Sequence, residues 1–280
     1  MKPTILDGRR LAAQRAPVIA QRAADVLHRR GRSPTLLLVA FPDTSGRVPH
    51  VAGKLRACAA AGIEAFPLFA EPNAGTAAVL DAIRAAIDTH DPDGIFVQVP
   101  IPDGLDGDAI TESIPVSADV DVMTHAAYAA FMRDPDLQPP VTISATLMLL
   151  DAYAIDVAGR HGIIVADASP FAEMFREALQ RRGAHMLPVV EPTAHDLDEA
   201  VAASDIVVVA AGSAGAVPSS RLPTGSVALD VGYFNEGGQG DIDTSPGIAH
   251  LAALMPVPGG VGPMTVSALL ERVVTFAAER

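Results

Sequence analysis

The 280-residue sequence has a single cysteine, Cys58, and fewer basic than acidic residues, with 20 Lys and Arg against 33 Asp and Glu. One cysteine excludes an internal disulfide and a zinc site built from cysteines, so we expect Cys58 to be a small buried side chain on a helix. The formal net charge is −13, and no cluster of Lys and Arg offsets it locally. Such a chain repels a phosphate backbone, and nucleic acid is not expected as a partner.

Signals for several other classes of protein are also missing. The eight histidines include no His-x-x-x-His pair with the spacing of metal ligands, and no Gly-x-Ser-x-Gly segment marks a hydrolase nucleophile. The N-terminus has no apolar signal core, and no apolar run reaches the roughly 18 residues of a membrane span. We therefore expect no metal, no membrane association and a cytoplasmic protein.

What is present is a regular alternation of short apolar runs and longer amphipathic stretches, with 49% hydrophobic residues. This order is typical of parallel sheets covered by helices on both faces. A Pro-rich segment at 134–140 separates two such series, so we predict two α/β lobes with a cleft between them; a single doubly wound domain is the alternative. The predicted strands are 34–41, 63–69, 94–100, 161–167, 185–191, 205–212 and 226–234, and the predicted helices are 50–62, 76–90, 141–155, 170–183, 195–204 and 265–280.

The most specific segment is PVPGGVGPMT at 256–265. Its glycines allow the backbone to approach a ligand closely and to adopt positive φ, while its prolines remove donors and stiffen the loop. Thr265 is the predicted N-cap of the final helix. Composition alone fits a ligand-binding loop and a tight turn equally well.

This segment resembles, nearly letter for letter, the C-terminal signature of the bifunctional methylenetetrahydrofolate dehydrogenase/cyclohydrolase family. Further matches follow in the family's order and cover essentially the whole chain, at 50–62, 94–102, 119–121, 205–212 and 229–232. The resemblance implies an N-terminal α/β folate-type catalytic domain, residues 1–124 with 264–280, and a Rossmann-like domain, residues 125–263. It also implies a homodimer joined through the nucleotide-binding lobe.

In that family a Tyr-Val-x-x-Lys motif carries the lysine that is central to cyclohydrolase chemistry. Here residues 50–54 read HVAGK, so Lys54 is kept and His50 replaces the tyrosine on the same helix face. The glutamine of the family's Val-Gln-x-Pro-x-Pro strand end corresponds to Gln98. A lysine in a partly closed pocket can have a lowered pKa and exchange protons near neutrality, so the resemblance implies that Lys54 and Gln98 act on the one-carbon bridge.

The family's Lys-Asp-Val-Asp-Gly motif reads ADVDV at 118–122. The second aspartate, Asp121, corresponds to the residue that binds the pterin ring, whose guanidine-like edge can donate two parallel hydrogen bonds to a carboxylate. The flanking lysine and glycine are both lost, which predicts a changed loop path. The other residues that the resemblance assigns to substrate binding are Pro100, Ile101, Pro102, Pro258, Gly259, Gly260, Pro263, Met264 and Thr265.

The nucleotide-binding half departs from the family. Its Gly-Arg-Ser segment is replaced by Ala166, Asp167 and Ala168, a second glycine is lost, and Glu173 adds a negative charge near the start of the next helix. These changes impede close approach to phosphates and remove the arginine that would bind the 2′-phosphate of NADP. We therefore predict a degenerate cofactor site that does not bind NADP and leave NAD open, since Asp167 could accept a hydrogen bond from a ribose hydroxyl.

The sequence thus predicts an enzyme that acts on 5,10-methylene- or 5,10-methenyl-tetrahydrofolate without a nicotinamide. It would hydrolyse the methenyl form through Lys54, Gln98 and water, or transfer the one-carbon unit to a small-molecule acceptor with His50 as general acid or base. A tetrahydrofolate derivative is the expected ligand in both cases. Two alternatives remain: an NAD(P)-dependent methylenetetrahydrofolate dehydrogenase, and a catalytically silent folate-binding protein.

Overall fold

A computed structural model describes residues 2–42, 51–232 and 238–280. The strands are β1 (Thr4–Ile5), β2 (Thr35–Ala40), β3 (Glu64–Phe69), β4 (Gly94–Val97), β5 (His161–Ala166), β6 (His185–Met186), β7 (Ile206–Ala210), β8 (Val217–Pro218), β9 (Val227–Asp230), β10 (Ile242–Asp243) and β11 (Ala253–Met255). The helices are α1 (Gly8–Arg30), α2 (Val51–Ala61), α3 (Thr76–His90), α4 (Gly107–Glu112), α5 (His125–Arg133), α6 (Val141–Ala152), α7 (Pro170–Gln180), α8 (Leu197–Ala202) and α9 (Val261–Glu279).

The chain forms two compact units, as predicted. We call one the three-stranded unit; it comprises Gln14–Ala130 and Val266–Arg280. The other, the six-stranded unit, comprises Met1–Ala13 and Phe131–Thr265. The predicted α/β class with parallel sheets is confirmed.

The three-stranded unit is built on a parallel sheet of order β3-β2-β4. Every residue of the central strand β2 is buried, which explains the apolar run LLLVA that follows Thr35. Leu37, Val39 and Ile83 lie in one core cluster with residues of β4. The backbone N–H of Gln98 donates to Val39 O at 2.8 Å, one residue beyond the end of β4. This bond fixes Gln98 at the carboxyl edge of the sheet.

The six-stranded unit has the parallel order β1-β11-β9-β7-β5-β6, beside a two-stranded sheet of β8 and β10. Thr4 pairs with Ala253 and Ile5 with Leu254. This pairing accounts for the grouping of residues 1–13 with the six-stranded unit, although the predicted 1–124 domain includes them.

Several elements differ in extent from their prediction. Helix α1 lies where no helix is predicted, although it buries Ile19, Ala23 and Val26 at helical spacing. Strand β6 ends at Met186 rather than at 191, because Pro188 cannot donate to the ladder; pairing resumes only as a single bridge at Val190.

Helix α9 begins at Val261, four residues before its predicted start. Thr265 is therefore inside the helix, where its hydroxyl donates to Val261 O at 3.2 Å, and it is not the N-cap. Within the described residues, α9 is the one helix long and apolar enough to cross a membrane, and 56% of its apolar window is buried inside the protein. Core helices of globular proteins show the same pattern.

Candidate functional site

Lys54 lies in the first turn of α2 and is buried, with 6% of its surface exposed. Its Nζ donates to Gln98 Oε1 at 2.7 Å and lies 5.0 Å from the centre of the Phe96 ring. Lys54 is also one of only two lysines in the sequence; the other, Lys2, is exposed. Almost all other basic residues of the chain are arginines, yet this buried position has a lysine. The rarity of lysine is therefore a sequence signal that points to Lys54.

The surroundings of Lys54 set its protonation. Burial lowers the pKa of its ammonium group to about 8, while the charge of Asp121 opposes that shift. Burial also raises the pKa of the Cys58 thiol to about 12, so the thiol stays neutral at physiological pH. Lys54 can therefore hold a proton at neutral pH and release it at a modest free-energy cost.

The side chain of Gln98 is oriented by its own strand end. Its Nε2 donates to Val99 O at 2.8 Å, so its Oε1 is directed to Lys54. Of the three residues that follow Val99 and were assigned to substrate binding, Pro100 is exposed, and Ile101 and Pro102 are half-buried. Ile101 packs against the core of the three-stranded unit, so this segment is anchored beside Gln98.

The loop that carries Asp121 is organised by its neighbour Asp119. The buried Asp119 carboxylate accepts hydrogen bonds from the backbone N–H groups of Asp121, Met123 and Thr124 at 2.8–3.2 Å and from the Thr124 hydroxyl at 2.9 Å. Asp119 therefore shapes the loop, and Asp121 is the half-buried carboxylate that acts on Lys54.

Val122 stands where the family motif has glycine, and it adopts the left-handed conformation, with φ of 56°. A β-branched residue is strained there by about 1–2 kcal/mol. The loop thus makes a left-handed turn at this position without glycine.

Arg272 belongs to the same cluster and is not among the predicted site residues. It is 5% exposed on α9, and its Nη1 donates to Val120 O at 3.2 Å. Of the residues that the structure describes, Lys54 and Arg272 are the only buried cations. The available signal was an arginine between the apolar residues 268–270 and 273–274 of a core helix. The fourth predicted catalytic residue, His50, lies outside the described residues.

The PVPGGVGPMT loop belongs to the six-stranded unit, and the structure gives its glycines a packing role. Gly259 O accepts hydrogen bonds from the N–H groups of Gly8 and Arg9 at 2.9 and 3.2 Å. A Cβ added to Gly8 would lie 1.8 Å from Gly260 O, so the close approach is to the protein's own backbone. Met264 is fully buried, and its predicted contact with substrate is corrected to a core position. Pro258 is exposed, and Pro263 and Thr265 are half-buried.

The segment in place of the family's nucleotide loop forms a complete strand–loop–helix unit. Ala166 ends β5, Asp167 and Ala168 are exposed, and Ser169 caps α7 by accepting a hydrogen bond from Ala172 N at 3.3 Å. Among the described residues, none of 166–174 has a positive φ, so this path needs no glycine. The Glu173 carboxylate accepts hydrogen bonds from Arg176 at 2.8 and 3.0 Å, which offsets its charge.

Two fully buried carboxylates shape the next loops of this sheet. Asp241 accepts from the N–H groups of residues 211–213 after β7, at 2.6–3.1 Å. Asp230, at the end of β9, accepts from the N–H groups of Gly232, Asp241 and Ile242 at 3.0–3.1 Å. Burial, reinforced by the charge of Asp241, raises the pKa of Asp230 to about 7. These carboxylates build the carboxyl edge of the sheet, where dinucleotides bind in open parallel folds.

Comparison with known proteins assigns both parts of the chain. Residues 6–121 match the tetrahydrofolate dehydrogenase/cyclohydrolase catalytic domain, and residues 140–280 match the NAD(P)-binding domain of the same name. A curated relative, bifunctional protein FolD 2 of Frankia alni, is 32% identical over 285 residues, which cover 99% of this chain and 96% of the relative.

Solved structures agree over the full length. The bifunctional enzyme FolD, methylenetetrahydrofolate dehydrogenase/cyclohydrolase, from Campylobacter jejuni is 29% identical, with a TM-score of 0.88 and 99% of each chain covered. The Trypanosoma brucei methylenetetrahydrofolate dehydrogenase-cyclohydrolase, complexed with NADP cofactor and inhibitor, is 25% identical, with a TM-score of 0.91 over 100% of this chain and 98% of that one.

These findings correct the prediction that the degenerate nucleotide site does not bind NADP. The NAD(P)-binding domain is matched over its own residues, and a full-length structural relative was solved with NADP. The comparisons do not support the prediction of an enzyme that works without a nicotinamide. They also do not support the prediction of a separate small molecule that accepts the one-carbon unit. The physical reason lies in the segment 166–176: the strand–loop–helix path forms without glycines, and Arg176 offsets the charge of Glu173.

Proposed function

This chain belongs to the tetrahydrofolate dehydrogenase/cyclohydrolase family, and from that premise we propose that it is an NAD(P)-dependent methylenetetrahydrofolate dehydrogenase and methenyltetrahydrofolate cyclohydrolase. It would oxidise 5,10-methylene-tetrahydrofolate to the 5,10-methenyl form and hydrolyse that form to 10-formyl-tetrahydrofolate. The observation that carries the proposal is the hydrogen bond of 2.7 Å between the buried Lys54 and the half-buried Gln98.

The six-stranded unit fits a dinucleotide at the carboxyl edge of its sheet. Asp167 and Ala168 are exposed between β5 and the start of α7, and these residues with the first turn of α7 would hold the cofactor. When bound, NAD(P)⁺ supplies the acceptor for the hydride that leaves the methylene carbon.

In the hydrolytic step, Lys54 moves a proton. Neutral Lys54 Nζ takes a proton from the water that adds to the methenyl carbon, and the resulting ammonium group gives that proton to N5 as the carbon–N5 bond breaks. The hydroxyl proton leaves to solvent as the formyl group forms on N10, so one proton is released per turnover. A pKa of about 8 keeps both forms of Lys54 accessible near neutrality.

Gln98 and Asp121 have positioning and binding roles in this proposal. Gln98 Oε1 holds the Lys54 amine in one orientation. Asp121 would accept two hydrogen bonds from the amino and amide nitrogens of the pterin ring. We also propose that the protein is a homodimer, which light scattering of the purified protein would test.

The test is a paired assay of both reactions on the wild type and on Lys54→Met, with Lys2→Met as the matched control. We expect the wild type to reduce NADP or NAD with 5,10-methylene-tetrahydrofolate and to hydrolyse the methenyl form. K54M should lose about 10²- to 10⁴-fold of the hydrolytic rate, as expected for removal of a general acid–base group, while K2M retains it. A folded wild type that binds tetrahydrofolate but turns over neither substrate would overturn the proposal and leave a folate-binding protein.

A further inference from the structure

Arg272 is a buried cation, and its burial in a hydrophobic core needs an explanation. It lies on α9 among the core residues 268–270 and 273–274 of the three-stranded unit. Burying a guanidinium group is unfavourable unless charges and hydrogen bonds compensate for lost water. The compensating groups therefore indicate what Arg272 acts on.

The first partner is the backbone of the Asp121 loop. Arg272 Nη1 donates to Val120 O at 3.2 Å, across 152 residues of sequence. A Cβ added to Gly94, at the start of β4, would lie 2.6 Å from Val120 Cγ1 and 3.1 Å from Val273 Cγ2. The missing side chain of Gly94 thus lets the loop and α9 meet directly over β4.

The second partner is carboxylate charge. The groups that act on Arg272 are Asp121 first and Asp119 second, and both oppose the lowering of its pKa by burial. Asp119 already accepts four hydrogen bonds from its own loop. Around Lys54, Asp121 carries the charge that opposes the lowering of its pKa, and the Cys58 thiol is neutral. Asp121 is therefore the carboxylate that Lys54 and Arg272 share.

We propose that Arg272 is a positioning residue of the folate site: it holds the 119–122 loop against α9 and takes up part of the charge of Asp121, so that Lys54 does not face this carboxylate alone. This inference rests on the proposed function only for the identity of the ligand. The cation that the family motif places at position 118 is replaced here by Ala118, and Arg272 supplies a cation to the same loop from α9.

The inference predicts the protonation of Lys54. Without Arg272, no second cation offsets the negative charge of Asp121. That charge then favours the ammonium form of Lys54 more strongly and raises the pKa of Lys54 from about 8 toward its ordinary value of 10.5. Arg272→Gln removes the charge but keeps a hydrogen-bond donor for Val120 O. Arg272→Lys keeps the charge. Arg15→Gln is the matched control, because Arg15 pairs with Glu271, the neighbour of Arg272 on α9, at 2.6 Å.

The experiment is trace acetylation with acetic anhydride between pH 6.5 and 10.5, read by mass spectrometry, with Lys2 as the internal reference. In R272Q we expect the reactivity of Lys54 at pH 7.5 to fall about 3- to 10-fold, which corresponds to half to one pKa unit. In R272K and R15Q it should stay within about twofold of the wild type, because a cation remains at 272 in both. An R272Q curve that superimposes on the wild type would overturn the inference.

Two further outcomes are informative. If R272Q does not reach the wild-type circular dichroism spectrum, R272K decides the matter, since a shift of its Lys54 curve would show that charge at 272 is not the cause.

Binding of tetrahydrofolate should weaken about 5- to 10-fold in R272Q and not in R15Q, because the Asp121 carboxylate is less firmly placed. The labelling needs neither folate nor turnover, so an inactive wild type would remove the proposed function and leave the Arg272 test intact.

Discussion

The two units bury charge at the carboxyl edges of their sheets in opposite ways. In the three-stranded unit the side-chain cations Lys54 and Arg272 both interact with the charge of Asp121. The six-stranded unit buries Asp230 and Asp241, and their hydrogen bonds in the described residues come from backbone N–H groups. A cation on a side chain can exchange protons or change partners when a ligand arrives. A carboxylate fixed by several backbone donors instead shapes the loops that carry those donors.

The glycines of the six-stranded unit show how closely its carboxylates fit. A Cβ added to Gly232 would lie 2.1 Å from Asp241 Cγ, and one added to Gly240 would lie 2.1 Å from Asp230 Oδ2. Both glycines are therefore required to make room for the two side chains. The difference between the units separates the proposed site of proton transfer from a scaffold for loops.

The largest expected effect comes from removing one buried charge from each unit. Asp241→Ala leaves three buried N–H groups without their acceptor, and we expect it to lower the free energy of unfolding by about 3–5 kcal/mol. Lys54→Met replaces a buried ammonium by an apolar chain of similar length, and its unfolding free energy should stay within about 1 kcal/mol of the wild type. Urea unfolding of both variants measures this contrast. Equal losses would show that the two units do not differ in the way described.

Sequence reasoning could reach the Lys54–Gln98 pair but not the charges around it. The pair is carried by two local motifs at 50–54 and 97–102; Lys54 lies in the first turn of α2, and Gln98 follows β4. Arg272 could not be found in this way, because it meets Val120 from 152 residues away. Whether a buried arginine is tolerated depends on tertiary partners that no local pattern shows.

The loops give a similar lesson. The parallel strands could be predicted because segments such as 36–40 and 206–209 are buried throughout and are continuously apolar. The start of α9 could not, since Val261, Gly262 and Pro263 have the composition of a loop, although proline is tolerated in the first turn of a helix. Loss of the nucleotide-binding motif at 166–174 does not imply loss of its backbone path, because Ser169 and α7 maintain that path.

The pH dependence of stability should differ in sign between the units. The pKa of Asp230 is raised from 3.8 to about 7 in the folded protein, so its contribution is present below pH 4 and is lost as the pH rises through 7. The pKa of Lys54 is lowered from 10.5 to about 8, so its contribution is lost as the pH falls from 10.5 through 8. Each slope is at most about 1.4 kcal/mol per pH unit.

Urea midpoints across pH 4–10 measure these two slopes, and single variants assign them. Asp230→Asn should flatten the acidic window between pH 4 and 7, and Lys54→Met should flatten the alkaline window between pH 8 and 10. A D230N protein that keeps the acidic slope would mean that another carboxylate produces it.

The smallest effect concerns backbone conformation, where the units again use opposite solutions. Val122 in the three-stranded unit and Gly212 in the six-stranded unit both have positive φ, at 56° and 63°. Val122→Gly should change the free energy of unfolding by less than about 1 kcal/mol, because relief of strain offsets the loss of a buried side chain and the entropy of glycine. Gly212→Val should cost about 1–2 kcal/mol through strain alone, since a Cβ there meets nothing within 4 Å. If V122G instead lost more than about 2 kcal/mol, packing of the Val122 side chain would outweigh the strain, and the Asp121 loop would be held by its apolar contacts as much as by Asp119 and Arg272.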